Sequence, residues 1–274
     1  MDFGKLNNLK IGVALSGGGA KGIAHLGALK ALDDREIHID VLSGVSAGSI
    51  MGALYADGHT PEQICKFIQK SNLYKMVSLT NPTNGGLTSM SDFRKFVGKE
   101  LKARTFEELK IPLIVNATNL NKGCNEYFDH GPLLDCIIAS SSVPLFFKPT
   151  IIKGESYVDG GFFCNMPAKI LRIRGCDLVI GVHVNPITIQ DDVDGFWTVA
   201  ERVFHLAING NTIEQKKHCD IVVETREAMT YGMFEANKAN ELFTIGYERM
   251  LSALDHFDWD EFMTNRKIQK KYKA

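Results

Sequence analysis

Two apolar segments, each followed by a glycine-rich turn, limit the folds that this chain can adopt. Ile11 to Leu15 is apolar throughout and leads into the turn that begins at Gly17. Ile39 to Leu42 is mainly apolar and leads into a turn around Ser46. Apolar residues at helical spacing follow both turns, and buried strands that alternate with helices are typical of a parallel sheet covered on both faces. The pattern predicts a three-layer α/β/α fold with a mostly parallel central sheet.

The same alternation continues along the rest of the chain. Further strands are predicted at Ile111 to Ala117, Glu126 to Asp129, Tyr157 to Val158, Leu178 to Val184 and Ile221 to Val223. A long helix is predicted from the helical spacing of Phe196, Val199, Val203 and Leu206. Asn81 to Gly86 has the composition of a loop, either a flap near a site or a surface connection. Because no repeat, linker or break in composition interrupts residues 1–274, a single domain is predicted.

The charges of the chain are nearly balanced, with 31 basic residues, 32 acidic residues and a formal net charge of -1. This balance disfavours a nucleic-acid partner, since such proteins are usually strongly basic. The basic end of the chain, Arg266 to Lys273, is interpreted as a solvated tail, with peripheral contact with an anionic membrane as the alternative. The sequence does not determine the oligomeric state.

The cysteines and the ends of the chain bear on its environment. Six cysteines are scattered without a C-x-x-C pair, so neither a zinc site nor a redox motif is predicted. The first residues lack the apolar core of a signal peptide, and no segment approaches the length of a membrane span. No His, Asp or Glu cluster has the spacing of metal ligands, and no cofactor is predicted. The sequence predicts a soluble cytoplasmic protein with reduced cysteines.

The first turn has the spacing G-x-G-x-x-G, formed by Gly17, Gly19 and Gly22. Between a strand and a helix this spacing is the fingerprint of a dinucleotide site, and Asp40 lies where an acidic ribose ligand is expected. The physics is more general, because free amides at the start of a helix attract any anion, including the oxyanion of a reaction intermediate. Both interpretations stay open on this motif alone.

The second turn has the spacing G-x-S-x-G, with Ser46 between Gly44 and Gly48. A sharp turn from strand to helix requires this spacing when it lifts a nucleophilic serine above the sheet. The alternative is an ordinary turn whose serine caps the following helix. The strand before Ser46 and the helix after it favour the nucleophile.

A nucleophilic serine needs a base, because its own hydroxyl is barely ionised at neutral pH. None of the late histidines has a setting typical of a catalytic base; they are His183, His205, His218 and His256. Asp159 is a different candidate, since it leaves a predicted strand into Gly160 and Gly161 and can project into the same crevice as Ser46. Taken alone, an Asp-Gly pair is among the commonest turns.

The three motifs in this order, GGGAKG, GVSAGS and DGG, resemble the patatin-like phospholipase family. The resemblance runs from about Lys10 to Val184 and includes the segment Ala139 to Pro144. In size the chain is similar to the small bacterial cytoplasmic branch of that family. The C-terminal helices and the basic tail are expected to complete the same domain.

The resemblance implies a serine acyl hydrolase that cleaves fatty acyl esters of lipids. It implies Ser46 as the nucleophile and Asp159 as the base of a Ser-Asp dyad. The residues that it assigns to the oxyanion loop are Gly17, Gly18 and Gly19, with Lys21 at the cationic position and Gly22, Gly44, Gly48, Gly160 and Gly161 as supporting motif residues. Two other classes stay open: a catalytically silent adaptor on the same fold, and a Rossmann-type dinucleotide-binding protein.

Two expectations concern the working site. An aspartate with an ordinary pKa of about 3.9 is a weak base, so we expect the site to raise its basicity by burial or to act through positioning, with an activity optimum at neutral to alkaline pH. The apolar segments Leu145 to Phe147 and Phe162 to Phe163 are either an acyl pocket or part of the core.

Overall fold

The computed structural model describes residues 6, 8–70, 90–144, 146–189, 193–231 and 238–273. The predicted loop at Asn81 to Gly86 lies outside these residues, and so does Leu145. Within them, nearly all strands and helices that the sequence predicts are present, with boundaries that differ by a few residues.

One mixed sheet of eight strands organises the described residues. The strands are β1 (Ile11–Leu15), β2 (Val41–Gly44), β3 (Leu113–Asn119), β4 (Cys124–Phe128), β5 (Thr150–Ile152), β6 (Glu155–Asp159), β7 (Leu178–His183) and β8 (Ile221–Glu224). Their order is β5-β6-β3-β2-β1-β7-β8, and β4 pairs with β3. The strands β3, β2, β1, β7 and β8 run parallel. Antiparallel pairs with β4, β5 and β6 lie on the β3 side.

Helices cover both faces of this sheet. They are α1 (Ile23–Asp34), α2 (Ala47–Ala56), α3 (Pro61–Lys70), α4 (Ser91–Glu100), α5 (Leu133–Ser140), α6 (Ala168–Ile173), α7 (Phe196–Lys216), α8 (Ala239–His256) and α9 (Trp259–Lys273). Val13 packs into the large core with α1, α2 and α8, whereas its neighbour Ala14 packs into a smaller core with α6. This three-layer arrangement confirms the predicted α/β fold. Among the described residues, no helix is both long enough and apolar enough to cross a membrane.

The turn between β3 and β4 is shorter than the apolar pattern indicates, because each strand extends two residues further toward it. Asn119 pairs with Cys124, so β3 continues beyond Ala117. The additional residues are polar, and the sequence pattern therefore ends too early. Thr118 is nevertheless buried, because its hydroxyl donates a 3.0 Å hydrogen bond to the backbone carbonyl of Asp159.

The helices α1 and α8 cross with their backbones in contact. A Cβ atom added to Gly27 would lie 1.9 Å from the carbonyl oxygen of Phe243. One added to Gly246 would lie 1.9 Å from the carbonyl oxygen of Ala24. Both positions therefore require glycine, and the crossing fixes the C-terminal helix α8 against the first helix of the chain.

The long helix α7 is present, but the face that carries its apolar periodicity is not the buried one. Val199, Val203 and Leu206 are 42%, 59% and 49% exposed. The buried face instead contains Ile208 and Thr212. Because the inner side of α7 is mainly polar, the helical spacing of apolar residues locates the helix but does not select the face that packs against the protein.

We expect Gly246→Ala to lower the free energy of unfolding by about 1–3 kcal/mol, because the new methyl group forces α1 and α8 apart. The matched control is Gly210→Ala in α7, where an added Cβ atom meets nothing within 4 Å. That change should be neutral or stabilising by up to about 1 kcal/mol, because alanine is the better helix former. Urea unfolding followed by tryptophan fluorescence measures both, and equal effects of the two changes would contradict the close crossing.

Candidate active site

The two glycine-rich turns predicted from the sequence lie side by side at the carboxyl ends of β1 and β2. Ser46 is the last residue before α2 and has φ 51 and ψ -124, a conformation that residues other than glycine rarely adopt. Backbone strain of this kind costs roughly 1–3 kcal/mol and persists only where the surrounding structure enforces it. The strain thus marks Ser46 as a residue held in place by its neighbours.

The glycines on either side of Ser46 are required by close packing of the turn. A Cβ atom on Gly44 would lie 2.6 Å from the carbonyl oxygen of Gly48. A Cβ atom on Gly48 would lie 2.3 Å from the carbonyl oxygen of Leu15 in β1. Both contacts are with backbone atoms that cannot move aside, so larger residues are excluded at both positions.

Asp159 is the last residue of β6, and a segment that begins with the last residue of α5 connects it to Ser46. The backbone N–H of Ser46 donates a 2.9 Å hydrogen bond to the Ser140 hydroxyl oxygen. Two residues later, the carbonyl oxygen of Ser142 accepts a 3.0 Å hydrogen bond from the Asp159 N–H. The serine-rich segment therefore holds the backbones of both residues in place. The sequence pointed to this segment only through the family resemblance.

The side chains of Ser46 and Asp159 meet in a buried hydrogen bond. The Asp159 carboxylate also accepts a 2.8 Å hydrogen bond from the backbone N–H of Gly161. Burial raises the pKa of Asp159 to about 6, although these two hydrogen bonds act in the opposite direction. The geometry therefore supplies a carboxylate that is more basic than usual and directly in contact with the serine hydroxyl.

The glycine loop after β1 lies next to Ser46, and its amides are not equivalent. The Gly17 N–H donates a 3.1 Å hydrogen bond to the backbone carbonyl of Asn165. Within the described part of the chain, no acceptor bonds the N–H groups of Gly18 and Gly19. A buried histidine supports the loop from behind, because the Nε2 atom of His25 lies 2.8 Å from the carbonyl oxygen of Ser16.

An apolar pocket begins at these residues and is bounded by α2, α3 and α4. Its apolar wall consists of Ala20, Ala47, Ile50, Met51, Leu54, Phe67, Ile68, Met90, Phe93, Phe96, Val143, Phe147 and Ile208. Leu54 lies eight residues beyond Ser46 along α2, which places it about 12 Å from the serine. Phe67 and Phe96 stack at 4.3 Å between ring centroids and join α3 to α4.

Of the aromatic residues proposed for this pocket, one is found in it. Phe147 is buried in the pocket wall. Phe162 and Phe163 are 41% and 49% exposed and lie outside the pocket. They follow the tight turn after Asp159, which directs them toward the surface, so the expectation that they belong to an acyl pocket or the core was wrong.

Three polar residues of the pocket were not assigned to a site by sequence reasoning, which named His205 only as an unsuitable base. Asn165, Asn185 and His205 contribute to its wall, and the Asn165 side-chain amide donates a 3.1 Å hydrogen bond to Asn185 Oδ1. Burial lowers the pKa of His205 to about 4, with further lowering from the charges of Lys21 and Arg202. His205 is therefore neutral at neutral pH. These residues come from three separated segments, and only the folded chain brings them together.

The remaining predicted residues occupy positions that match their motifs. Lys21 is buried at the start of the helical segment after the glycine loop. Gly22 and Gly160 pack closely against Ala47 and Asn116.

Asp40 does not lie near the glycine loop, because its carboxylate accepts a 2.6 Å hydrogen bond from the N–H of Ile11 at the opposite end of β1. The expected ribose ligand of a dinucleotide site is thus at the wrong edge of the sheet. No cluster of three or more potential metal ligands occurs among the described residues.

Comparison with protein-family models identifies the family of this chain. The model of the patatin-like phospholipase family matches residues 13–172. The chain therefore belongs to the patatin-like phospholipase family, as its three motifs predicted.

Among curated proteins, the chain is 29% identical to lysophospholipase NTE1 of Kluyveromyces lactis over 92% of this chain and 20% of that protein. It is 32% identical to lysophospholipase NTE1 of Eremothecium gossypii over 72% of this chain and 14% of that protein. The chain thus spans a fifth or less of the length of these relatives. The bacterial branch, the single-domain organisation and the cytoplasmic location stay predictions.

Among solved structures, VipD from Legionella pneumophila matches with a TM-score of 0.54 and 17% identity, over 91% of this chain and 67% of that chain. At this level of identity the match supports the fold alone.

We expect Asp159→Asn to stabilise the folded protein at neutral pH. The pKa of Asp159 is raised from 3.8 to about 6. The ionised carboxylate therefore destabilises the fold above about pH 6 by roughly 3 kcal/mol, and this cost disappears below about pH 4, where both states are protonated. Urea unfolding of both proteins across this range should show an advantage of the variant that grows between about pH 4 and 6.

The control for this prediction is Asp92→Asn, whose side chain is 69% exposed. Its effect on the free energy of unfolding should stay within about 0.5 kcal/mol at every pH. A pH-independent effect of Asp159→Asn would show that the carboxylate is not held in a buried, desolvated state.

Proposed function

We propose that the protein is a serine ester hydrolase of the lysophospholipase type, in which Ser46 and Asp159 form the catalytic dyad. The observation that carries the proposal is the hydrogen bond between the Ser46 hydroxyl and the buried Asp159 carboxylate at one end of an apolar pocket. Membership of the patatin-like phospholipase family supports the proposed chemistry. The lysophospholipase names of the relatives support a fatty acyl ester as substrate.

The first half of the reaction forms an acyl-enzyme. The Ser46 oxygen attacks the ester carbonyl carbon while its proton passes to Asp159. A carboxylate with a pKa near 6 is a stronger base than an ordinary aspartate and is still ionised at neutral pH. The carbon–oxygen bond to the alcohol then breaks, the alcohol takes the proton from Asp159, and the acyl group stays on Ser46.

The second half of the reaction hydrolyses the acyl-enzyme. Water attacks the acyl carbon and transfers a proton to Asp159. When the bond to Ser46 breaks, this proton returns to the serine oxygen and the fatty acid is released. The same two residues therefore serve both halves without a histidine.

The oxyanion that forms in each half needs hydrogen-bond donors. We assign this role to the N–H groups of Gly18 and Gly19, since the Gly17 N–H is already bonded to Asn165. Gly17 stays in the loop as the residue that anchors it. Loss of one oxyanion donor typically costs about 10²- to 10³-fold in rate, so the loop contributes as much to the proposed mechanism as the base does.

The substrate's acyl chain would occupy the apolar pocket along α2. No charged side chain other than Asp159 is among the residues that line the described pocket. An acyl chain there buries apolar area at about 25 cal/mol per Å², which favours long chains over short ones. Peripheral contact with a membrane through the basic tail stays part of this proposal, although Arg266 already pairs with Asp177.

A fluorophosphonate probe tests the nucleophile directly. We expect a single covalent adduct on Ser46, located by peptide mass spectrometry, and no adduct in folded Ser46→Ala. Labelling of Asp159→Asn should be slower by about 10²- to 10⁴-fold, because the serine loses its base. Ser252→Ala, which removes a serine on α8, serves as the control and should label at the wild-type rate. A folded wild-type protein without an adduct would favour the catalytically silent adaptor.

A substitution deep in the pocket tests the substrate class. Leu54→Trp should lower kcat/KM for p-nitrophenyl palmitate by roughly 10-fold or more, because the indole shortens the space for a long chain. Hydrolysis of p-nitrophenyl butyrate should change by less than about twofold, since a short chain does not reach this position. Ile173→Trp, at a residue that is 68% exposed on α6, is the matched control. Equal losses on both esters would contradict the assignment of the pocket to the acyl chain.

A further inference from the structure

The turn that follows Asp159 is held by a side chain from a distant helix. Asn211 lies on the inner side of α7. Its side-chain N–H₂ donates to the carbonyl oxygens of Gly161 at 2.8 Å and Phe162 at 3.1 Å. Its side-chain oxygen accepts a 2.8 Å hydrogen bond from the backbone N–H of Asn165. One carboxamide therefore bonds both ends of the turn.

The chemistry of these partners requires a carboxamide. Carbonyl oxygens only accept hydrogen bonds and a backbone N–H only donates, so the side chain must donate and accept at once. An aspartate at position 211 would keep the bond from Asn165, but it would place a negative oxygen against two carbonyl oxygens. Asparagine is thus the residue that matches all three backbone groups.

A single residue separates Asn211 from the Asp159 carboxylate, and another single residue separates it from the glycine loop. The peptide N–H of Gly161 bonds the Asp159 carboxylate, while the carbonyl of the same residue bonds Asn211. The carbonyl of Asn165 accepts the N–H of Gly17 in the glycine loop, while the N–H of Asn165 bonds Asn211. Asn211 thereby connects to the Asp159 carboxylate through Gly161 and to the glycine loop through Asn165.

A second asparagine holds the turn from the opposite side. The Asn116 side chain in β3 donates to the carbonyl oxygens of Gly160 at 3.2 Å and Cys164 at 3.1 Å. The turn is thus fixed between the sheet and α7. The sheet contact lies within the segment matched by the family model, residues 13–172, whereas the α7 contact lies outside it.

We propose that Asn211 is a positioning residue, which aligns the Asp159 carboxylate and the Gly17 to Gly19 loop with Ser46 by fixing the backbone between Gly161 and Asn165. The proposal rests on the proposed function, since it assigns the catalytic geometry partly to α7. A misplacement of about 1 Å at a reacting group can cost about 10²-fold in rate, so the loss of these bonds should affect turnover.

The structure offers a matched control on the same helix. Gln215 lies one turn further along α7, and its side-chain oxygen accepts a 3.0 Å hydrogen bond from the backbone N–H of Lys169 in α6. Gln215→Ala therefore removes an attachment of α7 that does not touch the catalytic turn. If Asn211 only attaches α7 to the protein, both substitutions should have the same effect.

The experiment compares Asn211→Ala, Asn211→Asp and Gln215→Ala in hydrolysis of p-nitrophenyl butyrate and in labelling by a fluorophosphonate. Both changes at Asn211 should lower kcat and the labelling rate by about 10- to 100-fold with KM within about twofold, because the acyl pocket is unchanged. Gln215→Ala should leave both rates within about twofold. Asn211→Asp has the same shape as the wild type and leaves no cavity. It can therefore be measured even if Asn211→Ala does not fold. Wild-type turnover in Asn211→Asp, or equal losses in Gln215→Ala, would overturn the proposal.

Hydrogen exchange separates this proposal from the proposed function. Amides of residues 160–165 should exchange faster in Asn211→Asp than in the wild type, and at the wild-type rate in Gln215→Ala. A wild-type protein that neither hydrolyses esters nor labels at Ser46 would contradict the proposed function, whereas unchanged exchange in Asn211→Asp would overturn the role of Asn211.

Discussion

The hydrogen bond between Ser46 and Asp159 is the contact on which the arrangement of the candidate active site depends. It joins a turn after β2 to the end of β6, two segments separated by more than a hundred residues. Ser46 is held in a strained backbone conformation, and Asp159 is buried with a raised pKa. Both states cost free energy, so the surrounding structure must supply it.

That free energy comes from packing and hydrogen bonds that fix the backbone conformation of both turns. The elbow around Ser46 fits against β1 only because Gly44 and Gly48 carry no side chains. The segment Ser140 to Ser142 bonds the backbone of Ser46 at one end and of Asp159 at the other. The large core behind β1 and β2 then fixes the strands from which both turns leave. Stability and the geometry of the site therefore have the same origin.

The helix α7 contains none of the recognised sequence motifs, yet its side chains contribute to the candidate site. Its inner side contributes His205 and Ile208 to the pocket and Asn211 to the turn after Asp159. Its outer side exposes Val199, Val203 and Leu206. Since only the outer side has an obvious apolar spacing, a sequence pattern directs attention to the face that does not pack. The inner side works through single polar bonds, which leave no periodic pattern.

The sequence by itself determined the α/β class, the order of most strands and helices, and the family, because alternating apolar segments and glycine spacings are local properties of the chain. It also placed Ser46 at the carboxyl end of a parallel strand, where ligands of such sheets bind. Asp159 was placed at the end of another strand, which the structure shows to run antiparallel to β3. Only the tertiary structure decided which apolar residues line the pocket, that Phe162 and Phe163 face outward, and that Asp40 lies at the other edge of the sheet. It alone brought Asn165, Asn185, His205 and Asn211 to the site. The physical reason is that these contacts join residues far apart in sequence through burial and single hydrogen bonds, and neither leaves a trace in local composition or spacing.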